Sequence, residues 1–254
     1  MAFRSSHFVP TSLLAITALV SAGQAQAYNL SFGEDLNFLG TENTRPRLTA
    51  TPNADAAASS FLSSFDNVHT ATFDDLALGT TGPVSLDFEG AATATLVGAG
   101  EVTAQTQNGQ HPISGDNYWL TFAGDNGFQV NFDEAVAGFG FYATDIGDVG
   151  ATVQIELGLA NGGTQLIDFP HDTTDDQSGS ILYQGIIAEN EDELFNSVRF
   201  ITTGGNDGFG FDNLTVGSFD QVNDETTVPE PGPILGLLLV GLCGTGVKLK
   251  RHQS

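Results

Sequence analysis

The sequence predicts an all-β fold, an antiparallel β-sandwich of jelly-roll type, preceded by a signal peptide and followed by one short C-terminal transmembrane helix. Three observations support the sandwich. First, short runs that alternate apolar and polar residues recur from about Val68 onward. Second, these runs are separated by Gly, Asp and Asn. Third, this part of the chain shows no helical periodicity of useful length. About eleven short strands with turn signals between them are typical of a sandwich or jelly roll.

The predicted strands have one buried and one solvated face, as in the clean alternation of Phe128–Phe132. The segments 124–127 and 205–208 carry the Gly, Asn and Asp of tight turns. Phenylalanine side chains are expected to fill the space between the sheets. The predicted core residues are Phe139, Phe141, Phe200, Phe209 and Phe211. The predicted strands are His69–Phe73, Val84–Phe88, Ala92–Val97, Tyr118–Phe122, Phe128–Phe132, Ala137–Ala143, Thr152–Leu157, Gln165–Phe169, Ile181–Ile187, Ser197–Thr202 and Gly210–Val216.

The predicted sandwich domain spans residues 68–217, and an acidic linker follows at 218–228. Residues 28–67 are weakly patterned and are interpreted as an N-terminal arm, partly helical or disordered. Within this arm, Thr51 is expected to cap a short helix that has Pro52 at its first position and runs toward Leu62.

The charge distribution excludes one class of function. Acidic residues outnumber basic ones 31 to 7, which gives a formal net charge of −24. Every acid lies between Glu34 and Glu230, a stretch whose only bases are Arg45, Arg47 and Arg199. Such a surface repels nucleic acid, so we exclude nucleic-acid binding. The same charge favours solubility and also attracts divalent cations, and both interpretations stay open here.

The front of the chain, residues 1–27, has the pattern of a secretion signal. A basic start at Arg4 precedes an apolar run at 13–20, and Ala25 and Ala27 form a small-x-small cleavage site, so signal peptidase is expected to release a chain that begins at Tyr28. The alternative, a membrane anchor, is disfavoured because the apolar run is too short to span a bilayer.

The back of the chain, residues 229–254, has three parts. Pro229-Glu230-Pro231 comes first, then an apolar segment at 233–247, then a basic cluster from Lys248 to Arg251. An apolar helix of about 14 residues rises only ~21 Å, against a hydrocarbon core of ~30 Å. It seats in a membrane if the lysines snorkel, and the basic end then stays on the cytoplasmic side, with the body outside. The single cysteine, Cys243, lies in this segment, so the body has neither a disulfide nor a thiol nucleophile.

This three-part tail resembles the PEP-CTERM sorting signal, whose Pro-Glu-Pro motif, short transmembrane helix and basic end match in order and spacing. The resemblance implies recognition by an exosortase and removal of the tail. It also implies a transient stay in the inner membrane, followed by delivery to the envelope, surface or extracellular matrix of a Gram-negative bacterium that makes exopolysaccharide. The alternative is an ordinary C-terminal membrane anchor.

A calcium site is one hypothesis for the body. The segment 72–76, with Asp74 and Asp75, opens the predicted sandwich, and the segment 209–216, with Asp212, closes it. The first and last strands of a jelly roll often lie side by side, so these carboxylates would offer oxygen ligands to a hard cation. The arrangement resembles carbohydrate-binding jelly rolls that a structural calcium ion ties together. The alternative is that these aspartates are turn or solvent-facing residues.

Two further acidic segments are interpreted as loops. The segment Asp168–Asp176 is a solvated loop, with weak calcium or magnesium binding as the alternative. Asp145-Ile146-Gly147-Asp148 directly follows a strong predicted strand and is interpreted as a hairpin turn.

Aromatic residues carry the hypothesis of sugar binding. Trp119 is the only tryptophan and Tyr142 alternates with a predicted core phenylalanine, so both are candidate ligand-binding residues. For Trp119 an inward position in the core competes with an outward position as a sugar platform. The sequence contains no Gly-x-Ser-x-Gly elbow, His-Glu-x-x-His motif or phosphate loop.

Three hypotheses of function follow from these observations. The first is a non-enzymatic surface or matrix protein that acts as a structural or interaction module. The second is a carbohydrate-binding module that recognises exopolysaccharide. The third is a secreted hydrolase of a type that the sequence does not identify.

Overall fold

The computed structural model describes residues 28–39, 46–106, 108–173, 177–204 and 207–223, and in them the chain forms thirteen β-strands and one α-helix. The helix α1 is Pro52–Ser63. The strands are β1 (Asn29–Asp35), β2 (His69–Ala71), β3 (Val84–Phe88), β4 (Ala92–Gly98), β5 (Glu101–Thr103), β6 (Tyr118–Phe122), β7 (Phe128–Val136), β8 (Gly138–Thr144), β9 (Thr152–Leu159), β10 (Thr164–Ile167), β11 (Ile181–Ile187), β12 (Phe195–Thr203) and β13 (Gly208–Gly217).

These strands form two antiparallel sheets, which confirms the predicted β-sandwich. The seven-stranded sheet has the order β1-β11-β8-β13-β6-β5, with β2 also paired to β13, and the six-stranded sheet has the order β10-β9-β12-β7-β4-β3. The eight strands from β6 to β13 are divided equally between the two sheets. Four are adjacent in one sheet in the order β6-β13-β8-β11, and four are adjacent in the other in the order β7-β12-β9-β10. This is the strand order of a jelly roll.

The core between the sheets is aromatic, as predicted. All five predicted core phenylalanines are buried, and Phe200 contacts four other core rings directly, including Phe139 at 6.2 Å between centroids. Its ring stacks on Phe128 at 4.4 Å between centroids and meets Phe141 and Phe211 edge-on at 4.9 and 5.0 Å. Such ring pairs stabilise a core beyond the area that they bury.

Glycines on the other side of the seven-stranded sheet make room for α1. Strand β8 contains Gly138-Phe139-Gly140-Phe141, in which the phenylalanines face the core and the glycines face outward. A Cβ at Gly140 would overlap the hydroxyl of Tyr183 and come within 2.8 Å of Phe61, a buried residue of α1. The helix therefore lies close against the sheet and forms a second apolar cluster there.

The described residues before 68, which are 28–39 and 46–67, contribute strand β1 and helix α1 to the body, although the sequence interpretation placed them in a separate arm. Strand β1 pairs with β11 over its whole length. The alternation of β1 is weak because it is an edge strand, in which Leu30 and Phe32 remain partly exposed. The helix begins at Pro52 as predicted, but the Thr51 side chain makes no capping hydrogen bond.

The predicted targeting segments lie outside the described residues, including Ala25, Ala27, Pro229, Glu230 and Pro231. In the part of the chain that is described, no helix is both long and apolar enough to cross a membrane. The start of the predicted acidic linker packs on the body, since the Asn223 N–H donates to the Ser64 carbonyl at 2.8 Å.

Candidate functional site

The outward side of the six-stranded sheet carries a set of polar residues, which we call the open face. It is defined by six residues from four adjacent strands, all exposed or half-buried, while the residues between them along each strand are buried. The residues of the open face are Thr95, Gln129, Asn131, Gln154, Glu156 and Arg199.

The strand register aligns these side chains across the sheet. Gln129 lies opposite Arg199, which lies opposite Glu156, and Thr95 lies opposite Asn131. Arg199 and Glu156 approach at 3.9 Å, and Gln129 Nε2 donates to Asn131 Oδ1 at 2.6 Å. The open face therefore presents amide, hydroxyl, guanidinium and carboxylate groups side by side, which suits hydrogen bonding to a polar polymer.

The outward side of the seven-stranded sheet is different because other parts of the chain pack on it. Helix α1 buries Ala54, Ala57, Ala58 and Phe61 there. The β5–β6 connection crosses the same side, where Ile113 packs against the helix cluster. The two outer faces of the sandwich thus differ in their surroundings, and the open face is the more accessible polar surface.

The predicted calcium ligands Asp74 and Asp212 both hold the β5–β6 connection. Asp74 Oδ1 accepts the N–H groups of Asp116 and Asn117 at 2.7 and 3.0 Å. Asp212 Oδ2 accepts those of Ile113 and Ser114 at 2.8 and 3.1 Å. The pairing of β2 with β13 places these segments together as expected. Calcium at this position stays a prediction, and the observed role of both carboxylates is to bind backbone N–H groups.

The three predicted ligands differ in exposure, and the pKa values of Asp74 and Asp212 are shifted in opposite directions. Asp75 is exposed, as is Asp74, whereas Asp212 is buried. The N–H of Asp116 is the main cause that lowers the pKa of Asp74. Burial raises the pKa of Asp212 to about 6, against the three backbone N–H bonds that lower it.

Trp119 lies in the core, so its indole does not form a sugar platform. It is fully buried between Phe73 and Phe128, with ring centroids 6.0 and 6.2 Å away. A Cβ at Gly100 would overlap the indole, so the backbone there closes over the ring. The inward interpretation is correct because the large apolar ring is worth more in the core than at the surface.

Tyr142 lies under α1 rather than on an open platform. Its ring packs edge-on against Tyr183 at 4.9 Å, and its hydroxyl donates to Asp55 Oδ1 of the helix at 3.0 Å. Burial raises the pKa of Tyr142, and the hydrogen bond to Asp55 raises it further. Tyr142 faces away from the core between the sheets, as predicted, but helix α1 packs on that side of the sheet.

Part of the acidic loop is tied to the edge strand β1. The Asp172 N–H and the Thr173 hydroxyl donate to the two carboxylate oxygens of Glu34 at 2.7 and 2.6 Å. Asp175 and Asp176 lie outside the described residues.

Three aspartates meet at one end of the sandwich, where sequence reasoning predicted only turns. Asp145 and Asp148 lie in the β8–β9 connection, and Asp207 directly precedes β13. One carboxylate oxygen of each lies within 4.8 Å of the others. These residues are 1%, 5% and 3% exposed. We call this group the three-aspartate cluster. Its burial closes it to a polymeric substrate, and its oxygens form a set that a metal ion can use.

Two neighbouring residues donate hydrogen bonds to Asp145 of this cluster. Asp145 accepts the Gly179 N–H at 2.7 Å and an N–H of the Gln110 amide. Burial raises the pKa of Asp145 to about 7, and the charge of Asp148 raises it further. Burial likewise raises the pKa of Asp207, together with the charges of Asp148 and Asp145. The signals in the sequence were the Asp-x-x-Asp and Asn-Asp-Gly segments, which are equally typical of turns.

Comparison with known proteins identifies no family. No family model and no curated protein matches the chain. Among solved structures, the CBM22-1 xylan-binding domain of Paenibacillus barcinonensis Xyn10C is 15% identical, with a TM-score of 0.37, over 60% of this chain and 95% of that one. The family 22 carbohydrate binding module of Clostridium thermocellum Xyn10B is 16% identical, with a TM-score of 0.37, over 63% and 98%. At these values the similarity specifies neither a family nor a ligand for this chain.

Proposed function

We propose that this protein is an exported, non-catalytic surface or matrix module that binds polysaccharide through the open face. The observation that carries the proposal is the placement of amide, hydroxyl and charged side chains close together on four adjacent strands of one accessible sheet. Such groups exchange hydrogen bonds with sugar hydroxyls at little cost, because they already hydrogen-bond to water when free.

The charge of the body indicates which polysaccharide fits. The formal net charge of −24 repels an anionic polymer at long range. On the open face, Glu156 lies beside Arg199, so this part of the surface is locally balanced. A neutral polysaccharide rich in hydroxyl groups is therefore the ligand class that we propose. Without an aromatic platform among the six residues, binding rests on hydrogen bonds and is expected to be weak for short oligosaccharides.

The start of strand β1 and the last described residue of the body support display of this module at a membrane. Asn29, at the start of β1, and Asn223, the last described residue, both line one groove at the same end of the sandwich. A signal peptide before Tyr28 and an exosortase-processed tail after Asn223 would then leave from one end. The open face runs along the side of the sandwich and stays accessible in that arrangement.

The experiment is a binding screen of the purified full-length chain against neutral polysaccharides, followed by calorimetry with the best ligand. The Gln129→Ala and Arg199→Ala variants should each weaken binding by roughly tenfold, since a lost hydrogen bond contributes about 1 kcal/mol or somewhat more. Ser60→Ala, an exposed substitution on α1, is the matched control and should bind like the original chain.

Two results would contradict this proposal. One is equal affinity in the original chain and in both open-face variants, which would move the binding site elsewhere. The other is release of sugars or oligosaccharides from the bound polymer, which would make the protein an enzyme.

A further inference from the structure

The three-aspartate cluster gathers more negative charge than a protein interior tolerates without compensation. An ionised carboxylate moved out of water loses several kcal/mol of hydration, and like charges nearby add to that cost. The cluster brings one oxygen from each of three buried carboxylates within 4.8 Å of one another. Either protons or a cation must therefore compensate the charge in the folded protein.

Asp207 gives a second and independent indication of a ligand. Only 3% of its surface is accessible to solvent, and its Oδ2 accepts no hydrogen bond. Buried carboxylate oxygens normally accept hydrogen bonds, and one that does not is costly. Asp145, by contrast, has donors from Gly179 and Gln110. Asp207 thus contributes one oxygen to the cluster and also holds a buried acceptor atom without a donor.

We propose that Asp145, Asp148 and Asp207 together bind one calcium ion, which joins the β8–β9 connection to the start of β13. Calcium binds oxygen ligands at roughly 2.3–2.6 Å, so two ligands on opposite sides of the ion are about 4.8 Å apart. The three carboxylate oxygens lie within 4.8 Å of one another, so they are close enough to share one such ion.

Magnesium fits this site less well because of its hydration. It retains several water molecules and dehydrates reluctantly, whereas these three residues are at most 5% exposed. A buried set of carboxylates that replaces part of the hydration shell favours calcium, the more easily dehydrated ion.

The ion would fasten several connections at one end of the sandwich. Strands β8 and β13 are paired neighbours, so the residues that follow β8 and precede β13 lie side by side. Gln110 donates to the carbonyl of Gly208 as well as to Asp145, which brings the β5–β6 connection to the same place. Gly147, between Asp145 and Asp148, has φ 88° and packs against the ring of His171, which narrows access from solvent.

The test uses the full-length chain, purified in detergent, stripped with EDTA and dialysed. Titration calorimetry should find one tight calcium site per chain. At calcium 100-fold above its dissociation constant, the unfolding temperature should rise by roughly 5–10 °C, because an ion that binds only the folded state stabilises it by mass action. Magnesium at the same concentration should produce a smaller rise.

Asn substitutions identify the ligands. Asp207→Asn and Asp148→Asn should each abolish tight calcium binding and the calcium-dependent rise. In EDTA, Asp207→Asn should unfold at or above the temperature of the original chain, because one buried negative charge is removed. That combination separates a lost ligand from a damaged fold, and Asp148→Asn provides the second test if one variant does not fold.

Other outcomes overturn the proposal. If EDTA and calcium leave the unfolding temperature of the original chain unchanged, protons compensate the cluster instead of calcium. If Asp212→Asn loses the calcium response while Asp207→Asn and Asp148→Asn keep it, the ion binds at the site predicted from sequence. Polysaccharide binding at the open face is measured separately and does not depend on either outcome.

Discussion

The carboxylate of Asp35, at the end of β1, accepts the backbone N–H of Ala54, in the first turn of α1, at 2.9 Å. It also accepts the N–H of Asn53 at 3.1 Å. An acidic side chain at a helix N-terminus satisfies free N–H groups and interacts favourably with the helix dipole. One residue thus fastens the helix α1 to the edge strand β1, and through β1 to the rest of the sandwich.

We expect Asp35→Ala to lower the free energy of unfolding by about 1–2 kcal/mol, the cost of losing a helix cap. Thr51→Ala should have little effect, because the Thr51 side chain makes no capping hydrogen bond. Urea unfolding curves of both variants test this. Equal losses in the two variants would mean that Asp35 does not cap the helix.

Gly140 tests the close packing of α1 on the sheet. A Cβ there would overlap Tyr183 and press on Phe61, so Gly140→Ala should destabilise the protein by about 1–3 kcal/mol. Gly124→Ala is the matched control, since a Cβ at that position meets nothing within 4 Å. Its unfolding free energy should stay level or rise slightly through the lower entropy of the unfolded chain. Thermal unfolding of the two variants gives the comparison.

Trp119 should report on folding rather than on ligand binding. Trp119→Phe should keep polysaccharide affinity, and Trp119→Ala should cost about 3–5 kcal/mol of stability by leaving a cavity in the core. In the original chain, the fluorescence of this single tryptophan should resist quenching by iodide until the protein unfolds. If a Trp119→Phe variant folds normally yet loses polysaccharide binding, Trp119 contributes to the ligand site and this expectation is wrong.

Asp212 should make stability depend on pH. Burial raises the pKa of Asp212 to about 6, whereas an aspartate in an unfolded chain has a pKa of about 3.9. The folded state therefore holds this proton more strongly, and the contribution of Asp212 falls by about 2–3 kcal/mol as pH rises from about 4 to 6. Urea unfolding at several pH values tests this. The stability difference between Asp212→Asn and the original chain should change across that window and be constant above it, and parallel curves would contradict the expectation.

Processing at the two ends is a separate prediction. Mass spectrometry of the protein recovered from its native envelope should find a mature chain that begins at Tyr28 and lacks the segment after Pro229-Glu230-Pro231. The Ala27→Leu variant should block the first cut, because signal peptidase needs a small residue at that position. A full-length chain in the cytosol would contradict both steps.

The strands of the sandwich were largely predictable because alternation and turn residues are local properties of the sequence. The run Phe128–Phe132 shows its buried face directly, and Pro52 marks the first residue of α1. Strand β1 was missed because an edge strand buries little, and its partner β11 lies far along the chain. The cap on α1 was misassigned for a related reason, since Asp35 is distant in sequence from the residues that it caps.

The sequence by itself determined the sandwich, the aromatic core, the acidic charge of the body and the patterns of the two ends, because each of these depends on neighbouring residues or on composition. Only the tertiary structure decided which polar residues meet. Asp145, Asp148 and Asp207 each read as part of a turn, and Gln129, Arg199 and Glu156 read as ordinary strand residues. The pairing of β8 with β13 and of β12 with β7 and β9 brings each set together, because strand order and register are set by packing across the whole sheet.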